Sequence, residues 1–299
     1  MAACGIANEM APSYFPVIVA HPPSPSVEVV ISTYDNPASL NLCLEGLRGQ
    51  VWTDFTLCVA DDGSGEATQA VVDQHRAAGG LPRLRHVWQP HRGFGKNAIL
   101  NLAIASSTAD YLIFIDGDCV AAPGFVARHL ELRRPGRFLT GGVVRLGAAA
   151  TAAVTPERIR DRSVFSHAWL GARDCQRTFG DRLKAGLLPS SLAGILEVLS
   201  MVKRTWNGGN ASGWRADLLA VNGFDETMGY GAEDVELGVR LNHHGARGRH
   251  LRYSAPLLHL HHARNYLDPL VFAENQRRVR ELRRTSTAWA VHGIRKGGA

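Results

Sequence analysis

Segment 111–118 reads Tyr-Leu-Ile-Phe-Ile-Asp-Gly-Asp and constrains this chain most, because a strongly apolar strand runs directly into two acids. The uncharged β-forming residues at its start predict a strand that is covered on both faces. Asp116 and Asp118 then place two negative charges at the edge of the core, where they repel each other and lose hydration. A hard divalent cation relieves both costs, and Gly117 lets a bulky ligand approach the backbone. The segment alone fits a cap of the next turn equally well, so both interpretations stay open.

The composition is that of an ordinary globular protein. Of the 299 residues, 45% are hydrophobic and 20% are charged, and the formal net charge is +6. The positive charge favours acidic partners such as phosphates and nucleotides, but the arginines are scattered, so we expect no nucleic-acid surface. Five widely spaced cysteines without zinc-finger spacing, and the lack of an apolar run of membrane-spanning length, predict a cytoplasmic protein. Residues 1–26 are rich in Pro and Ala and are predicted to form a flexible leader.

Strands and helices alternate through the first half of the chain. The apolar pattern predicts strands at 27–34, 55–60, 84–88 and 111–115, with a helix after each of the first three. This alternation indicates a parallel α/β sheet with right-handed crossovers. Ligands of such sheets bind beyond the carboxyl ends of the strands. The polar segments that meet at this edge are 32–35, 61–64 and 116–118.

The second half is less regular. We expect a strand at 137–145, irregular helices at 148–205 and a glycine-rich entry to a helix at 207–214. A further helix places Glu233 and Asp234 in its first turn, where acids favour the helix dipole. Segment 257–262 predicts an alternating strand with His259 and His261 on one face. The basic helix at 271–284 is interpreted as a solvated face; the alternative is a weak peripheral contact with the inner face of an anionic membrane.

Six motifs together resemble the family-2 glycosyltransferases of the GT-A fold. Their order and spacing carry the resemblance, which runs from about residue 27 to residue 262. The motifs are Val-Val-Ile-Ser-Thr-Tyr at 29–34, Ala-Asp-Asp-Gly-Ser at 60–64, Phe-Ile-Asp-Gly-Asp at 114–118, Gly-Gly-Asn at 208–210, Asn-Gly-Phe-Asp-Glu at 222–226 and Gly-Ala-Glu-Asp at 231–234. The second half looks like the galactosyltransferase-type acceptor half of chondroitin-type polymerases.

The resemblance implies an α/β fold of GT-A (Rossmann-like) type, with a mixed, mostly parallel sheet flanked by helices. It implies a glycosyltransferase domain at 27–265, with a nucleotide-sugar-binding half at 27–145 and an acceptor-binding half at 146–265. Residues 266–299 would then form a C-terminal basic helix and tail. The implied partners are a nucleotide-sugar donor and a saccharide, lipid-linked or small-molecule acceptor.

The resemblance also implies a role for individual residues. Asp234 is expected to be the catalytic base of an inverting transfer. The expected donor contacts are Ser32, Thr33, Tyr34, Asp35, Asp62, Lys96, Asp116 and Gly117. The expected acceptor contacts are Glu233, Trp206, Asn210 and Tyr230. The expected ligands of Mn²⁺ or Mg²⁺ are Asp118, Asp116 and His259, with His261 as the second choice among the histidines.

The expected chemistry follows from these groups. A divalent cation makes a nucleotide diphosphate a better leaving group, and a carboxylate that removes the acceptor proton assists attack. Tyr230, Ala232 and Val235 depart from the residues that relatives often carry, which leaves the acceptor open. Two alternatives remain at this point: a sugar-nucleotide pyrophosphorylase, and a non-catalytic module that binds nucleotide sugars or glycans.

Overall fold

The computed structural model describes residues 25–81, 83–172, 175, 190–200, 204–262 and 268–296. The predicted leader at 1–26 therefore lies almost wholly outside the described residues. The strands are β1 Val27–Thr33, β2 Thr56–Asp61, β3 Leu84–Trp88, β4 Tyr111–Asp116, β5 Cys119–Ala121, β6 Arg137–Thr140, β7 Val144–Arg145, β8 Asn210–Trp214, β9 Arg247–His250 and β10 Leu257–His259. The helices are α1 Pro37–Arg48, α2 Glu66–Ala78, α3 Lys96–Ser106, α4 Phe125–Leu132, α5 Ala148–Ala152, α6 Pro156–Arg160, α7 His167–Gly171, α8 Ser190–Leu199, α9 Arg215–Ala220, α10 Glu233–His244 and α11 Pro269–Leu282.

The main sheet has seven strands among the described residues, in the order β3-β2-β1-β4-β8-β6-β9. The strands β3, β2, β1 and β4 are parallel, whereas β8 runs antiparallel to β4 and to β6. The apolar strands β1 and β4 are buried on both faces, because helices cover both sides of the sheet. The predicted mixed, mostly parallel α/β sheet flanked by helices is confirmed.

Helix α1 shows how the local sequence sets an element. The Asn36 side chain accepts a hydrogen bond from the backbone N–H of Ser39, and Pro37 occupies the first turn. The predicted stripe packs against the sheet and consists of Leu40, Cys43, Leu44 and Leu47, all fully or almost fully buried. Residues 34–36 form the turn between β1 and α1. This turn lies at the carboxyl end of β1.

Two segments of the second half differ from the expectation. Residues 210–214 form strand β8 rather than the entry to a helix. Ser212, at the centre of this strand, is buried and forms hydrogen bonds with the Tyr111 hydroxyl and the His129 ring. The strand expected at 137–145 is split into β6 and β7. The split occurs at Gly141, whose N–H donates to the Asn210 carbonyl and where a Cβ atom would lie 2.3 Å from the Asn210 side chain.

A second, three-stranded sheet has the order β5-β10-β7. Its strand β5 follows Asp118 directly, and His259 pairs with Cys119 across the β5–β10 ladder. This pairing brings His259, which is distant in sequence, next to the acids at the end of β4. Helix α11 packs on α10 through Val279, Met228 and Val239. No helix within the described residues is both long and apolar enough to cross a membrane.

Candidate active site

A cleft of about 620 Å³ opens at the carboxyl ends of β1, β2 and β4. This edge is where the sequence places the polar strand ends, and it is also bordered by the first turn of α10. Of the predicted site residues, those that line the cleft are Ser32, Thr33, Tyr34, Asp62, Lys96, Asp116, Gly117, Asp118, Tyr230, Glu233, Asp234 and His259. The structure therefore brings residues far apart in sequence into one concave site.

Asp116 is held by two donors at the end of β4. The Ser32 hydroxyl and the Lys96 ammonium donate to its Oδ1 atom at 2.8 and 2.7 Å. Lys96 is the first residue of α3, so its charge is added to the positive N-terminal end of that helix. Gly117 packs so closely that a Cβ atom there would lie 2.9 Å from the Ser32 carbonyl. This corner combines a fixed carboxylate, a cation and accessible backbone.

Asp62 anchors the glycine-rich loop that precedes α3. Its carboxylate accepts hydrogen bonds from the Gln89 amide at 2.6 Å and from the Gly95 N–H at 2.8 Å. The Tyr34 and His91 rings stack beside it, with centroids 4.0 Å apart and planes inclined by 10°. Tyr34 is half exposed, so its outer face is open to a further flat group. Asp35 lies in the turn beside the cleft, where its N–H donates to the Ser64 hydroxyl.

Asp118 is surrounded by two imidazoles. Its Oδ2 atom lies 3.0 Å from His262 Nε2, and its Oδ1 atom lies 3.7 Å from His259 Nε2. Burial by itself would raise the pKa of Asp118, but His262 and His259 outweigh burial and lower it. Asp118, Cys119 and His259 also place one ligand atom each within 4.8 Å of one another.

These groups fit a divalent cation. An ionised carboxylate with two histidine nitrogens suits Mn²⁺ better than Mg²⁺, which prefers oxygen ligands and retains its water. Cys119 is a poor ligand for such an ion, because burial raises the pKa of its thiol well above the usual value and keeps it protonated. Asp118, His259 and His262 are therefore the residues that could hold the cation.

The acids of α10 form the opposite wall of the cleft. Asp234 Oδ2 accepts the Gly208 N–H at 2.9 Å, whereas its Oδ1 atom is shielded and has no hydrogen-bond partner among the described residues. Burial, opposed by Lys96, raises the pKa of Asp234. Glu233 accepts the Gly231 N–H at 2.6 Å. Burial and the neighbouring Asp234 raise the pKa of Glu233 to about 7, although Lys96 opposes them.

Aromatic side chains border these acids. Phe94 and Tyr230 meet edge to face, with centroids 6.0 Å apart, and Phe272 of α11 also lines the cleft. Phe272 packs against the Gly231 backbone, where φ is +109° and a Cβ atom would lie 2.3 Å from the ring. The positive φ and the close ring together require glycine at this position. The predicted acceptor contact Tyr230 therefore lies beside the acid pair.

Four predicted site residues do not line the cleft, namely Asp35, Trp206, Asn210 and His261. Trp206 is 1% exposed and packs between Phe114 and Phe138 in the core. Asn210 is fully buried, and its amide donates to the carbonyl oxygens of Gly142 and Ala255. Both predictions of an acceptor contact are therefore wrong, because these side chains support the sheet from inside.

The choice of His261 is also corrected. Strand β10 ends at His259, so the alternation that was expected to place His261 beside it does not continue. His261 is exposed, and its N–H donates to the Thr151 hydroxyl. His262 takes the place near Asp118 instead, with its ring stacked on His259 at 5.4 Å.

Sequence reasoning assigned no role to several residues that line the cleft, among them His91, Phe94, Arg145 and Phe272. His91 and Phe94 belong to the glycine-rich basic loop, so their position next to Lys96 was the available signal. Arg145 pairs in register with His259 through β7 and β10. Phe272 lies on a helix distant in sequence, and no motif marks it.

Comparison with known families matches two parts of the chain. The family described as "Glycosyl transferase family 2" matches residues 28–148, and the one described as "N-terminal domain of galactosyltransferase" matches residues 201–263. The α/β sheet and the acids at its edge define a glycosyltransferase architecture of the GT-A type. Residues 28–148 match glycosyltransferase family 2 and residues 201–263 match a galactosyltransferase-type family, so the predicted resemblance is confirmed.

Curated proteins that are similar to this chain are named as glycosyltransferases. The chain is 28% identical to a pre-mycofactocin glycosyltransferase of Mycobacterium tuberculosis over 270 residues, which are 88% of this chain and 49% of the relative. It is 29% identical to a validoxylamine A glucosyltransferase of Streptomyces hygroscopicus over 232 residues, which are 74% and 52% of the two chains. The chain thus spans about half the length of these relatives.

Solved structures share the fold. One is the mannosyltransferase PcManGT from Pyrobaculum calidifontis in complex with GDP-Man and Mn²⁺, with a TM-score of 0.54, 18% identity and coverage of 81% of this chain and 59% of that chain. Another is S. aureus TarS in complex with UDP-GlcNAc, with a TM-score of 0.57, 16% identity and coverage of 86% and 66%. At these identities the likeness supports the fold.

Proposed function

We propose that this protein is an inverting, metal-dependent glycosyltransferase that moves a hexose from a UDP-sugar to an acceptor hydroxyl. The acceptor is a glycan, a lipid-linked saccharide or a small metabolite. The match to family 2 supports glycosyl transfer. GDP-Man in one structural relative and UDP-GlcNAc in another make a GDP-sugar the competing donor.

The observation that carries this proposal is the position of Asp234. Its carboxylate is fixed by the Gly208 N–H through one oxygen, while the other oxygen lacks a partner within the described part of the chain. Both Lys96 and Asp116 are close enough to act on its pKa. A fixed carboxylate with a raised pKa and one oxygen that has no hydrogen-bond partner among the described residues, in the same cleft as the donor corner, suits a general base.

The donor corner supplies the complementary groups. The open outer face of Tyr34, whose other face is stacked on His91, would stack against the nucleobase, and Asp116 with Ser32 would face the ribose. Lys96 and Arg145 are cations of the cleft that can approach the diphosphate. Asp118, His259 and His262 would hold Mn²⁺, which in glycosyl transfer neutralises charge that develops on the leaving diphosphate.

One base facing one leaving group implies a single displacement. Asp234 accepts the proton of the acceptor hydroxyl while that oxygen attacks the anomeric carbon from the side opposite the diphosphate. Such a displacement inverts the anomeric configuration. Glu233 lies next to Asp234 and, with a pKa of about 7, is partly protonated near neutral pH, so it can donate a hydrogen bond to an acceptor oxygen.

The test separates donor binding from transfer. UDP- and GDP-sugars are first screened by thermal shift with and without Mn²⁺, because a ligand of the native state raises the melting temperature. The best donor is then incubated with a panel of glycan, lipid-linked and small-molecule acceptors, and the anomeric configuration of the product is read by NMR. We expect Asp234→Asn to lower transfer by about 10²- to 10⁴-fold and to keep the donor-induced thermal shift.

Asp54→Asn, on the exposed loop after α1, is the matched control and should leave both readouts unchanged. Normal transfer by Asp234→Asn would remove Asp234 from the role of base. Retention of the anomeric configuration would exclude the single displacement. Donor binding without transfer to any acceptor would favour a binding module, and pyrophosphate-dependent formation of UTP would favour a pyrophosphorylase.

A further inference from the structure

Three aromatic side chains line the cleft next to the acid pair, and no step of the proposed transfer uses them. Phe94 and Tyr230 meet edge to face with centroids 6.0 Å apart, and both line the cleft. Phe272 lines the cleft from α11 and is 42% exposed, so part of its ring is open to a ligand. We call Phe94, Tyr230 and Phe272 the aromatic wall.

Helix α11 holds Phe272 against the loop that precedes α10. A Cβ atom at Gly231 would lie 2.3 Å from the Phe272 ring, and one at Gly229 would lie 2.8 Å from the Val271 side chain. The Asn275 amide of the same helix donates to the Gly229 carbonyl at 2.9 Å. These contacts fix the ring at the cleft, so it is a preorganised part of the aromatic wall.

The aromatic wall adjoins the acid pair through one short segment. Gly231 follows Tyr230 and packs against the Phe272 ring. Its N–H donates to Glu233 at 2.6 Å, and Asp234, the proposed base, is the next residue. Because the acceptor hydroxyl must reach Asp234 from the side opposite the donor diphosphate, the remainder of the acceptor lies along the aromatic wall.

Polar groups are few on this side of the cleft. Among the described residues that line it from α11, from the start of α10 and from the loop before α10, polar side-chain atoms occur at Tyr230, Glu233 and Asp234. A second sugar ring would bring several hydroxyls against Phe94 and Phe272, where they lose hydration without gaining a hydrogen bond. A flat apolar ring instead buries its surface and gains the attraction between stacked or edge-to-face rings.

We propose that the aromatic wall binds an aromatic ring of the acceptor, next to the hydroxyl from which Asp234 takes the proton. This inference rests on the proposed function and narrows its acceptor to an aromatic alcohol or an aryl glycoside. Phe272 is the residue that determines this specificity. It lies outside residues 28–148 and 201–263, which match the two known families, so neither match assigns it a role.

The experiment measures binding, so it does not depend on transfer. Saturation-transfer NMR of the whole protein with Mn²⁺, with and without UDP, compares four probes: benzyl alcohol and the phenyl, hexyl and methyl β-glucosides. The three glucosides share one sugar and differ in the attached group. We expect the phenyl glucoside to bind about tenfold or more tightly than the methyl and hexyl glucosides, and benzyl alcohol to compete with it. Binding of both aryl probes should persist when UDP is added.

Substitutions at Phe272 test its part in the preference. We expect Phe272→Ala to lower affinity for the phenyl glucoside by about tenfold, and Phe272→Tyr, which keeps the ring, to retain it. Leu270→Ala is the matched control, because Leu270 is apolar, lies on the same turn of α11, is 81% exposed and is not among the residues that line the cleft. Phe94→Leu should also weaken binding of the phenyl glucoside, and it tests the aromatic wall even if Phe272→Ala does not fold.

Four outcomes would overturn the aromatic-acceptor proposal. Equal binding of the methyl and phenyl glucosides would assign the aromatic wall to a sugar, and equal binding of the hexyl and phenyl glucosides would assign it to an alkyl chain. Loss of aryl binding on addition of UDP would place the wall in the donor site. The fourth outcome is that the parent binds no probe, or that Phe272→Ala binds the phenyl glucoside like the parent.

The thermal shift induced by UDP separates this proposal from the proposed function. We expect the shift to be the same in the parent and in every variant, because the donor corner lies across the cleft from the aromatic wall. A parent that prefers the phenyl glucoside but shows no shift with UDP or GDP would contradict the proposed transfer and would still support the aromatic site.

Discussion

The Lys96 ammonium donates to Asp116 Oδ1 at 2.7 Å, and the same charge acts on Asp234 and Glu233 across the cleft. Despite the cost of burial, these carboxylates raise the pKa of Lys96, with Asp116 contributing most, so the side chain stays protonated. Lys96 therefore links the donor corner at the end of β4 to the acid pair of α10. Its loss should affect both ends of the cleft.

We expect Lys96→Met to lower transfer by about 10²-fold and to move the acid limb of the pH profile to higher pH. Burial raises the pKa of Asp234 and Lys96 lowers it, so removal of Lys96 raises that pKa further and leaves the base protonated at a higher pH. The measurement is the pH dependence of kcat/KM. Lys96→Arg, which keeps the charge, is the control and should retain the position of the limb. A lower rate with an unchanged acid limb would contradict this account.

Glu233 should make the donor-free protein less stable as pH rises. Its pKa is raised from 4.5 to about 7, with burial as the first cause, so the fold favours the neutral carboxyl. The corresponding stability is complete below about pH 4.5 and is lost as pH rises through about 7. Glu233→Gln stays neutral and can still accept the Gly231 N–H. We expect it to exceed the parent above pH 7 by on the order of 2 kcal/mol in the free energy of unfolding, measured by urea denaturation across pH.

The control for this prediction is Glu236→Gln on the same helix. Glu236 forms a buried ion pair with Arg240 at 2.7 Å, so its neutralisation leaves a buried guanidinium without its counter-charge. We expect this variant to lose about 3 kcal/mol of stability. If Glu233→Gln and the parent gave parallel stability curves from acid to alkaline pH, the raised pKa of Glu233 would be refuted.

His259 and His262, which lie near Asp118, should contribute to cation binding, whereas the exposed His261 should not. We expect His262→Ala and His259→Ala each to weaken Mn²⁺ affinity by about tenfold or more, and to reduce the preference for Mn²⁺ over Mg²⁺, because each removes a nitrogen ligand. The measurement is calorimetric titration of Mn²⁺ and Mg²⁺ in the presence of UDP. His261→Ala, at the exposed neighbour, is the control and should bind like the parent. An equal loss in the His261 variant would restore the choice made from sequence.

The sequence alone predicted the elements whose structure is determined by a local pattern of residues. The apolar runs that end in acids predicted β1, β2 and β4, and parallel strands bring their carboxyl ends to one edge, so the donor corner followed. The acids of α10 were likewise recognisable from a motif. Their place across the cleft from Lys96 depends on the reversal of β8, which the glycine-rich segment 207–214 did not reveal.

Other errors have physical causes beyond local pattern. Trp206 was predicted to bind the acceptor as an exposed ring, but it is buried in the core, where it packs between Phe114 and Phe138. His261 was chosen by strand alternation, which fails because β10 ends at His259 and the chain then turns. Phe272 reaches the cleft because α11 packs on α10, a tertiary contact without a sequence signature.

The two glycines before β8 should separate transfer from donor binding. A Cβ atom at Gly208 would lie 2.5 Å from Asp234 Oδ1, and one at Gly209 would lie 2.7 Å from Asp116 Oδ2. These separations are shorter than van der Waals contact, so alanine must displace the neighbouring carboxylate. We expect Gly208→Ala to lower transfer by about 10²-fold with donor affinity retained, because misplacement of the base costs rate.

Gly209→Ala should instead weaken donor binding by about tenfold, because Asp116 belongs to the donor corner. Donor affinity by calorimetry and transfer rate at saturating donor distinguish the two effects. Gly124→Ala is the matched control, since a Cβ atom there would meet nothing within 4 Å. If both alanine variants reduced donor affinity and transfer in the same proportion, the two carboxylates would not have separate roles, and the division of the cleft into a donor corner and a base would be wrong.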